Sequence, residues 1–332
     1  PVTENLEMNL AVRYEDLETD SSVDPKLSLR WQATDDLVLR GSASTAFREP
    51  SLSQFSSLET SLQGIQDFNP DGTPKGGVAF IRVTSAGNAQ LVPEESTNYN
   101  FGAIWSPTDN LDMRIDYWIF EYENVITVES AQGKIISDLN GPDIVRLAGD
   151  NSQLVGINAN YINAATVDTD GLDIAVNYVH PTDIGDFGVH FTGTRTLSYE
   201  IPDPAGGVQD VAGLFNHDNF ARSIPETKAN LSFDWANDSH SAALTAYYVD
   251  SYETTRAVPA TASANIDSWV TVDLQYAYNL DLADSEAVIT FGLKNIFDEE
   301  PPVVYDAANY SYDPKHHDPR GRLFYVRGKY RF

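Results

Sequence analysis

Hydrophobic and polar residues alternate along most of this chain with a period of two. In residues 270–279 the apolar positions are Val270, Val272, Leu274, Tyr276 and Tyr278, and the positions between them are polar or small. Residues 5–15, 26–33 and 111–123 repeat the pattern. Because successive side chains of a β-strand point to opposite faces, each segment predicts a strand with one apolar face and one polar face.

The alternation predicts twelve strands and one helix. We place the strands at residues 4–15, 24–33, 37–47, 97–105, 111–123, 159–179, 188–200, 226–236, 240–252, 268–279, 286–297 and 321–332. The helix is predicted over residues 141–149, inside a long connection. The chain is therefore expected to be almost entirely β.

The connections between the predicted strands alternate in length. Short turns such as 34–36, 106–110 and 237–239 join one end of the strands. Long loops join most of the other ends, at residues 48–96, 124–158, 201–225, 253–267 and 298–320. Outer-membrane barrels have short periplasmic turns, long extracellular loops and strands of about 9–11 residues. The sequence therefore predicts an all-β fold, an antiparallel transmembrane β-barrel, and the alternative is a soluble all-β sandwich or propeller.

Composition and missing motifs exclude several functions. The chain has 49 acidic and 21 basic residues, for a formal charge of −28. Since binding to nucleic-acid phosphates needs a basic surface, we expect no nucleic-acid partner. Cysteine is absent, which excludes disulfides, thiolate metal sites and a cysteine nucleophile. No G-x-S-x-G elbow frames a serine and no glycine-rich phosphate loop precedes a helix, so we predict neither an enzyme nor a cofactor.

Five short motifs occur in order along the chain, and most lie at the ends of predicted strands. They are Ala46-Phe47-Arg48-Glu49-Pro50-Ser51-Leu52, Pro93-Glu94-Glu95-Ser96-Thr97-Asn98-Tyr99, Gly171-Leu172-Asp173, Lys294-Asn295-Ile296-Phe297-Asp298, and Gly321-Arg322, which opens a last strand ending in Phe332. In this order the motifs resemble the signatures of TonB-dependent outer-membrane receptors. The resemblance extends over residues 37–332.

The resemblance implies a barrel of about 22 strands with a plug domain in its lumen. Residues 1–332 would be the C-terminal part of that barrel, and the plug and its energy-coupling box would lie outside this chain. The family implies a receptor in the outer membrane of a Gram-negative bacterium that imports a scarce siderophore, vitamin, haem or oligosaccharide with TonB-coupled energy. The implied partners are outer-membrane lipid, lipopolysaccharide, the TonB complex through the plug, and the barrel assembly machinery.

Candidate ligand-binding residues lie in the long loops. Arg48 and Glu49 occupy the lip where loop 48–96 begins, and they either contact ligand or anchor the loop, or they form an ion pair at the barrel rim. In the last loop, three tyrosines are suited to packing on an aromatic or sugar-like ligand, or they belong to an aromatic girdle. These residues are Tyr305, Tyr310 and Tyr312.

The same loop contains the adjacent pair His316 and His317, with Asp313 and Asp318 nearby. Neighbouring side chains of an extended segment point apart, so the pair alone does not predict a metal site. We therefore predict no metal. The two remaining interpretations are a polar loop and contact with an iron chelate arriving from outside.

The last predicted strand has a distinctive apolar face. Phe324, Val326, Tyr330 and Phe332 share that face, which Gly328 interrupts. A terminal phenylalanine after such alternation resembles the signal read by the outer-membrane assembly machinery through strand pairing.

Two other functions are compatible with the same alternation. One is a complete smaller barrel that acts as a passive channel, a translocator or a membrane-embedded hydrolase. The other is a soluble carbohydrate-binding β-protein. Loop lengths and motif order favour the receptor, and solubility of the monomer without detergent would favour the soluble protein.

Overall fold

The structure is a computed structural model, and it describes most of the chain. The described residues are 5–16, 21–147, 153–163, 166–203, 207–216, 219–256, 258–282, 285–305 and 311–332. Within them, two short helices form, α1 (Leu52–Ser56) and α2 (Ala131–Ser137). In the described part of the chain, neither helix is long and apolar enough to cross a membrane.

The remaining regular structure is β. In chain order the strands are β1 (Leu6–Asp16), β2 (Ser21–Gln32), β3 (Leu37–Arg48), β4 (Leu58–Ile65), β5 (Ala79–Ala86), β6 (Glu94–Thr108), β7 (Leu111–Glu123), β8 (Ile126–Val128), β9 (Ile144–Arg146), β10 (Leu154–Asn158), β11 (Tyr161–Asn163), β12 (Val167–Thr182), β13 (Gly185–Pro202), β14 (Val208–Asp210), β15 (Leu214–Phe215), β16 (Ser223–Ile224), β17 (Thr227–Ala236), β18 (His240–Val249), β19 (Tyr252–Thr254), β20 (Asn265–Ile266), β21 (Trp269–Leu282), β22 (Ser285–Lys294) and β23 (Leu323–Arg331). Twelve of them are long enough to match the predicted strands.

These twelve strands form one continuous sheet. Its order is β1-β2-β3-β6-β7-β12-β13-β17-β18-β21-β22-β23, with β14 paired to β13 beside this path. Every neighbouring pair on the path is antiparallel. Within the described residues β1 and β23 do not pair with each other, so the sheet is open. The predicted all-β antiparallel fold is confirmed.

Two details of the sequence prediction are wrong. Residues 141–149 do not form a helix, because residues 144–146 are β9, which pairs with β10; residues 148–149 lie outside the described part. Pairing with β10, which itself pairs with the distant strand β5, thus overrides the local preference of this segment. The strand predicted from residue 159 begins only at Val167, since Tyr161–Asn163 is the separate strand β11 and pairs with β8.

The register places apolar side chains on one face of the sheet. Leu244 of β18 lies opposite Phe233 of β17 and Leu274 of β21. The row continues to Leu293 of β22 and Phe324 of β23. We call this surface the apolar face, and the opposite surface the polar face. Many large side chains of the apolar face are exposed, and a soluble protein rarely exposes so large an apolar area.

Aromatic residues collect on the apolar face at the end of the sheet that carries the short turns. Trp105 Nε1 donates a hydrogen bond to Asp36 at 3.0 Å, and Trp235 Nε1 donates to the carbonyl of Ile184 at 3.1 Å. Their apolar rings and single polar atoms suit a boundary between hydrocarbon and water. The other members of this group are Trp31, Tyr178, Tyr276 and Tyr278.

On the polar face, an ion pair crosses a glycine. Arg40 of β3 and Asp116 of β7 flank Gly102 of β6 in one row of the register. The Arg40 guanidinium reaches over the glycine to the Asp116 carboxylate, with Nη2 2.5 Å from Oδ2. A Cβ atom at Gly102 would lie 2.9 Å from Arg40 Nε and closer still to the carboxylate. The glycine is therefore required for the pair to lie flat on the sheet.

The Gly102→Ala variant is expected to be less stable than the parent by about 1–3 kcal/mol, because the added methyl group overlaps the ion pair. Urea unfolding of the protein in lipid vesicles measures the change. Gly328→Ala is the matched control, since a Cβ at Gly328 meets no atom within 4 Å. Equal losses in both variants would show that the crossing pair is not the cause.

Candidate functional site

The long loops fold into two compact units at the end of the sheet opposite the short turns. The first loop unit combines residues 52–91, between β3 and β6, with residues 126–163, between β7 and β12. The β4–β5 hairpin extends through β10 to β9, and β5 pairs in parallel with β10. Its core includes Ile65, Ile81, Val83, Ile135, Leu154 and Ile157. Both loops supply core residues, so the two loops pack as one unit.

Ion pairs tie the first loop unit together. Arg146 of β9 donates from Nη1 and Nη2 to the Asp67 carboxylate, each at 2.9 Å. The Lys134 ammonium of α2 lies 2.7 Å from Glu129 and 2.6 Å from Asp143. Each of these side chains has a partner of opposite charge inside the unit, which leaves few of their polar groups for an arriving ligand.

Acid is expected to weaken the first loop unit through Asp67. Hydrogen bonds from Arg146 lower the pKa of the Asp67 carboxyl. A carboxyl with a lowered folded-state pKa stabilises the fold above its ordinary pKa, and that contribution is lost as pH falls through the folded value. Limited proteolysis of the unit should therefore accelerate as pH falls below about 4. Asp67→Asn should show less of this acceleration, and an unchanged profile would contradict the assignment.

The second loop unit is built from residues between β13 and β23. Its small sheet has the order β16-β15-β19-β20. Tyr252 and Ile266 form its core with Val304 of the last loop, and Phe215 packs against them. A neighbouring apolar cluster attaches this unit to the start of β12 and the end of β13. The cluster contains Val167, Ile201, Val211 and Ala221.

The histidine pair lies inside the second loop unit, in a group that we call the histidine cluster. Its members are Tyr252, Trp269, Asp313, His316 and His317. Asp313 accepts a hydrogen bond from the Tyr252 hydroxyl at 2.8 Å. The ring of His317 lies edge-on to that of Trp269, with centroids 5.2 Å apart. Both histidines are therefore part of the histidine cluster, which is largely buried.

Each histidine has a different environment. His316 Nε2 lies 3.1 Å from the Ser223 carbonyl oxygen, and Lys315 Nζ donates to the same oxygen at 3.1 Å. His317 is only 4% exposed, and neither of its ring nitrogens has a hydrogen-bond partner in the described residues. Burial lowers the pKa of His316, and it lowers the pKa of His317 to about 4. Both rings are therefore neutral at pH 7.

The first two motifs meet at the rim of the sheet. Arg48 Nε lies 2.5 Å from Glu94 Oε2, and Glu94 Oε1 accepts from the main-chain N–H of Ile126 at 2.7 Å. Glu49 follows, partly buried, and Ser51 caps α1 with a capping box. Glu94 thus joins Arg48 of β3 to Ile126 of the first loop unit, and ligand contact by Arg48 and Glu49 stays a prediction.

The last two motifs meet at the start of β23. Asn295 and Asp298 both adopt positive φ, at 48° and 60°, and end β22 in a tight turn. Asp298 Oδ1 accepts the main-chain N–H of Arg322 at 2.7 Å, beside Gly321, whose φ is 65°. The turn thereby fixes where the last strand begins.

The other candidate residues are distributed over the last loop and the last strand. Tyr305 is exposed and Tyr312 is partly buried, whereas Tyr310 lies outside the described residues. Among the described residues, no three His, Asp or Glu side chains come together as a metal site. The residues of the predicted assembly signal are all exposed: Phe324, Val326 and Tyr330 lie on the apolar face of β23, and Phe332 follows the strand.

Sequence reasoning missed the loop units and their internal ties. The alternation in Leu58–Ile65 and Ala79–Ala86 was a usable signal for the β4–β5 hairpin. No local signal marks Tyr252 or Trp269 as neighbours of His317, because these residues come from separate loops. Folding of the loops onto one another determines which of their side chains remain accessible.

The described features define a class of protein. An open antiparallel sheet with one apolar face, aromatic residues at its short-turn end and folded loops at the other is the wall of a membrane β-barrel. The family described as "TonB dependent receptor-like, beta-barrel" matches residues 1–296. The chain therefore belongs to the TonB-dependent receptor β-barrel family, and the barrel fold is confirmed.

Solved structures share this fold. A mutant of the ferric enterobactin receptor PfeA from Pseudomonas aeruginosa is 18% identical with a TM-score of 0.68, covering 99% of this chain and 43% of that chain. The siderophore receptor PirA from Acinetobacter baumannii is 16% identical with a TM-score of 0.66, covering 99% and 44%. The copper transporter OprC is 13% identical with a TM-score of 0.57, covering 92% and 39%.

This chain spans less than half the length of these solved proteins. At such identities the similarity is one of fold. No curated protein sequence matches the chain.

Proposed function

We propose that this chain forms part of the wall and mouth of an outer-membrane receptor that imports a scarce extracellular ligand with energy coupled through TonB. The observation that carries the proposal is the continuous apolar face of a sheet whose strands carry folded loops at one end only. Hydrocarbon covers such a face in an outer membrane, and the polar face then lines the lumen. Membership of the TonB-dependent receptor family supports energy coupling.

We also propose that residues 1–332 are the C-terminal part of a barrel of about 22 strands, with the plug supplied by the rest of the receptor. Coverage of 99% of this chain but 43% of a solved receptor supports this division. The apolar side chains of β23, ending at Phe332, would be read by the barrel assembly machinery. Lipid and lipopolysaccharide of a Gram-negative outer membrane would surround the apolar face. The family consists of transport receptors, and we assign no catalytic residue.

The ligand classes under this proposal are siderophores, vitamins, haem and oligosaccharides. Of the solved proteins with this fold, one is named a ferric enterobactin receptor, one a siderophore receptor and one a copper transporter. Testing should therefore begin with ferric siderophores and copper. The two loop units would form the outer part of the binding site, with Arg48, Glu49 and the last-loop tyrosines as the first residues to substitute.

Growth on a single limiting nutrient tests the function. A strain lacking the gene is compared with its parent and with a strain lacking TonB, on a panel of ferric siderophores, copper, cobalamin, haem and oligosaccharides. We expect both deletions to abolish growth on the same nutrient. Growth that needs the gene but not TonB would indicate a passive channel and contradict the proposal. Recovery of the protein as a monomer without detergent would contradict the membrane location.

A further inference from the structure

The histidine cluster joins the final long loop to several distant parts of the chain. The bond between Asp313 and Tyr252 reaches β19, and the ring contact of His317 with Trp269 reaches the start of β21. His316 reaches a main-chain carbonyl of β16. These three strands, β16, β19 and β21, are separate segments of the chain. The cluster therefore helps to hold the final loop, together with Val304, which packs in the core of the second loop unit.

The packing of His317 accepts only the neutral ring. A neutral imidazole has one donor and one acceptor nitrogen, and the described residues leave both without a partner. An imidazolium has two donors and a full charge. Burying an unpaired charge costs far more than burying an unpaired neutral group. Protonation therefore favours any arrangement in which His317 reaches water.

The two histidines have different charged neighbours. Within the described residues, Lys228 and Lys315 lower the pKa of His316, and Arg222 acts on Lys315 beside it. The carboxylate that acts on both histidines is Asp313, which already accepts the Tyr252 hydroxyl and which favours a proton on either ring. For His317 the largest effect is burial, which opposes protonation and which the attraction to Asp313 offsets only in part.

We propose that the histidine cluster is an acid-sensitive latch, which holds the final long loop on the second loop unit while His317 is neutral and releases it when His317 is protonated. The latch acts on the shape of the receptor mouth. It does not depend on the identity of the ligand or on energy coupling, so it can hold or fail independently of the proposed function.

The direction and range of the switch follow from the two states of His317. Released into water, its pKa returns to about 6.5. Latched, burial lowers its pKa to about 4. The latch is therefore at full strength above about pH 6.5 and weakens as pH falls toward 4. Across that interval the ratio of latched to released loop should fall by about tenfold per pH unit at most.

Absence of cysteine from the chain makes a single spin label simple to place. Ser311→Cys puts a nitroxide at an exposed position beside the cluster. Its mobility is recorded by electron paramagnetic resonance from pH 7.5 to 3.5, with the folded protein in detergent micelles. A second label at Ser239→Cys, in a short turn, reports any general unfolding.

We expect the label at residue 311 to become mobile, reversibly, as pH falls between 6.5 and 4, while the label at residue 239 does not change. His317→Leu should remove this transition, and His317→Gln serves the same purpose if the leucine variant does not fold. His180→Gln, which removes a histidine at the opposite end of the sheet, should leave the transition intact. A parent protein without the transition, or a transition that persists without His317, would overturn the proposal.

Discussion

Leu244→Arg is expected to lower the free energy of unfolding in a lipid bilayer by about 2–4 kcal/mol. Leu244 lies on the apolar face, opposite Phe233 and Leu274, away from the ends of β18. An arginine there must either enter hydrocarbon or distort the sheet to reach water. Unfolding in urea from vesicles of defined thickness measures the difference from the parent protein.

The neighbouring residue provides the control. Ala243 lies on the polar face, opposite Asp234 and Gln275. Ala243→Arg places the same charge at the same depth beside a carboxylate, so the expected change is within about 0.5 kcal/mol. Comparable losses of stability in both variants would mean that hydrocarbon does not cover one face while water covers the other. The barrel interpretation would then fail.

Ile135→Ala is expected to destabilise the first loop unit by about 2–5 kcal/mol, because it leaves a cavity in a packed core. Ile135 of α2 is 0% exposed and packs in the cluster that both loops share. Loss of this contact should unfold the unit locally and leave the twelve-strand sheet intact. Amide hydrogen exchange should accelerate in α2, β5 and β10 only.

Ile136 offers a control on the same helix. It is 67% exposed, so Ile136→Ala deletes the same side-chain atoms from a solvent-exposed position. Hydrogen exchange in the unit should therefore change very little. If the two variants behave alike, then the loops are not held by this core. If Ile135→Ala also accelerates exchange in β7 and β12, then the loop unit and the sheet unfold together.

The large sheet was predictable because its signals are local and repeated. Alternation in 270–279 assigns Leu274 and Gln275 to opposite faces, and the register confirms that Leu274 lies with Leu244 and Leu293. A one-residue slip would transfer every apolar side chain to the wrong face, which makes the pattern strongly specific. The motifs likewise mark the tight turn at Asn295 and the rim position of Arg48.

The loop units were not predictable to the same degree, because their contacts are distant in sequence. β5 and β10 pair in parallel, residues 82–84 with residues 156–158, and no local pattern specifies that partner. The error at 141–149 has a related cause, because β9 pairs with its near neighbour β10, and β10 pairs with the distant strand β5. The neutral, buried state of His317 depends on three loops meeting, so the sequence alone indicates only a polar pair.

Fluorescence quenching at two adjacent residues tests the location of the apolar face most directly. Leu274→Cys and Gln275→Cys each carry an environment-sensitive dye in the receptor reconstituted in lipid. We expect brominated lipid to quench the dye at residue 274 and aqueous iodide to quench the dye at residue 275. Equal access of iodide to both positions would contradict a hydrocarbon-facing sheet.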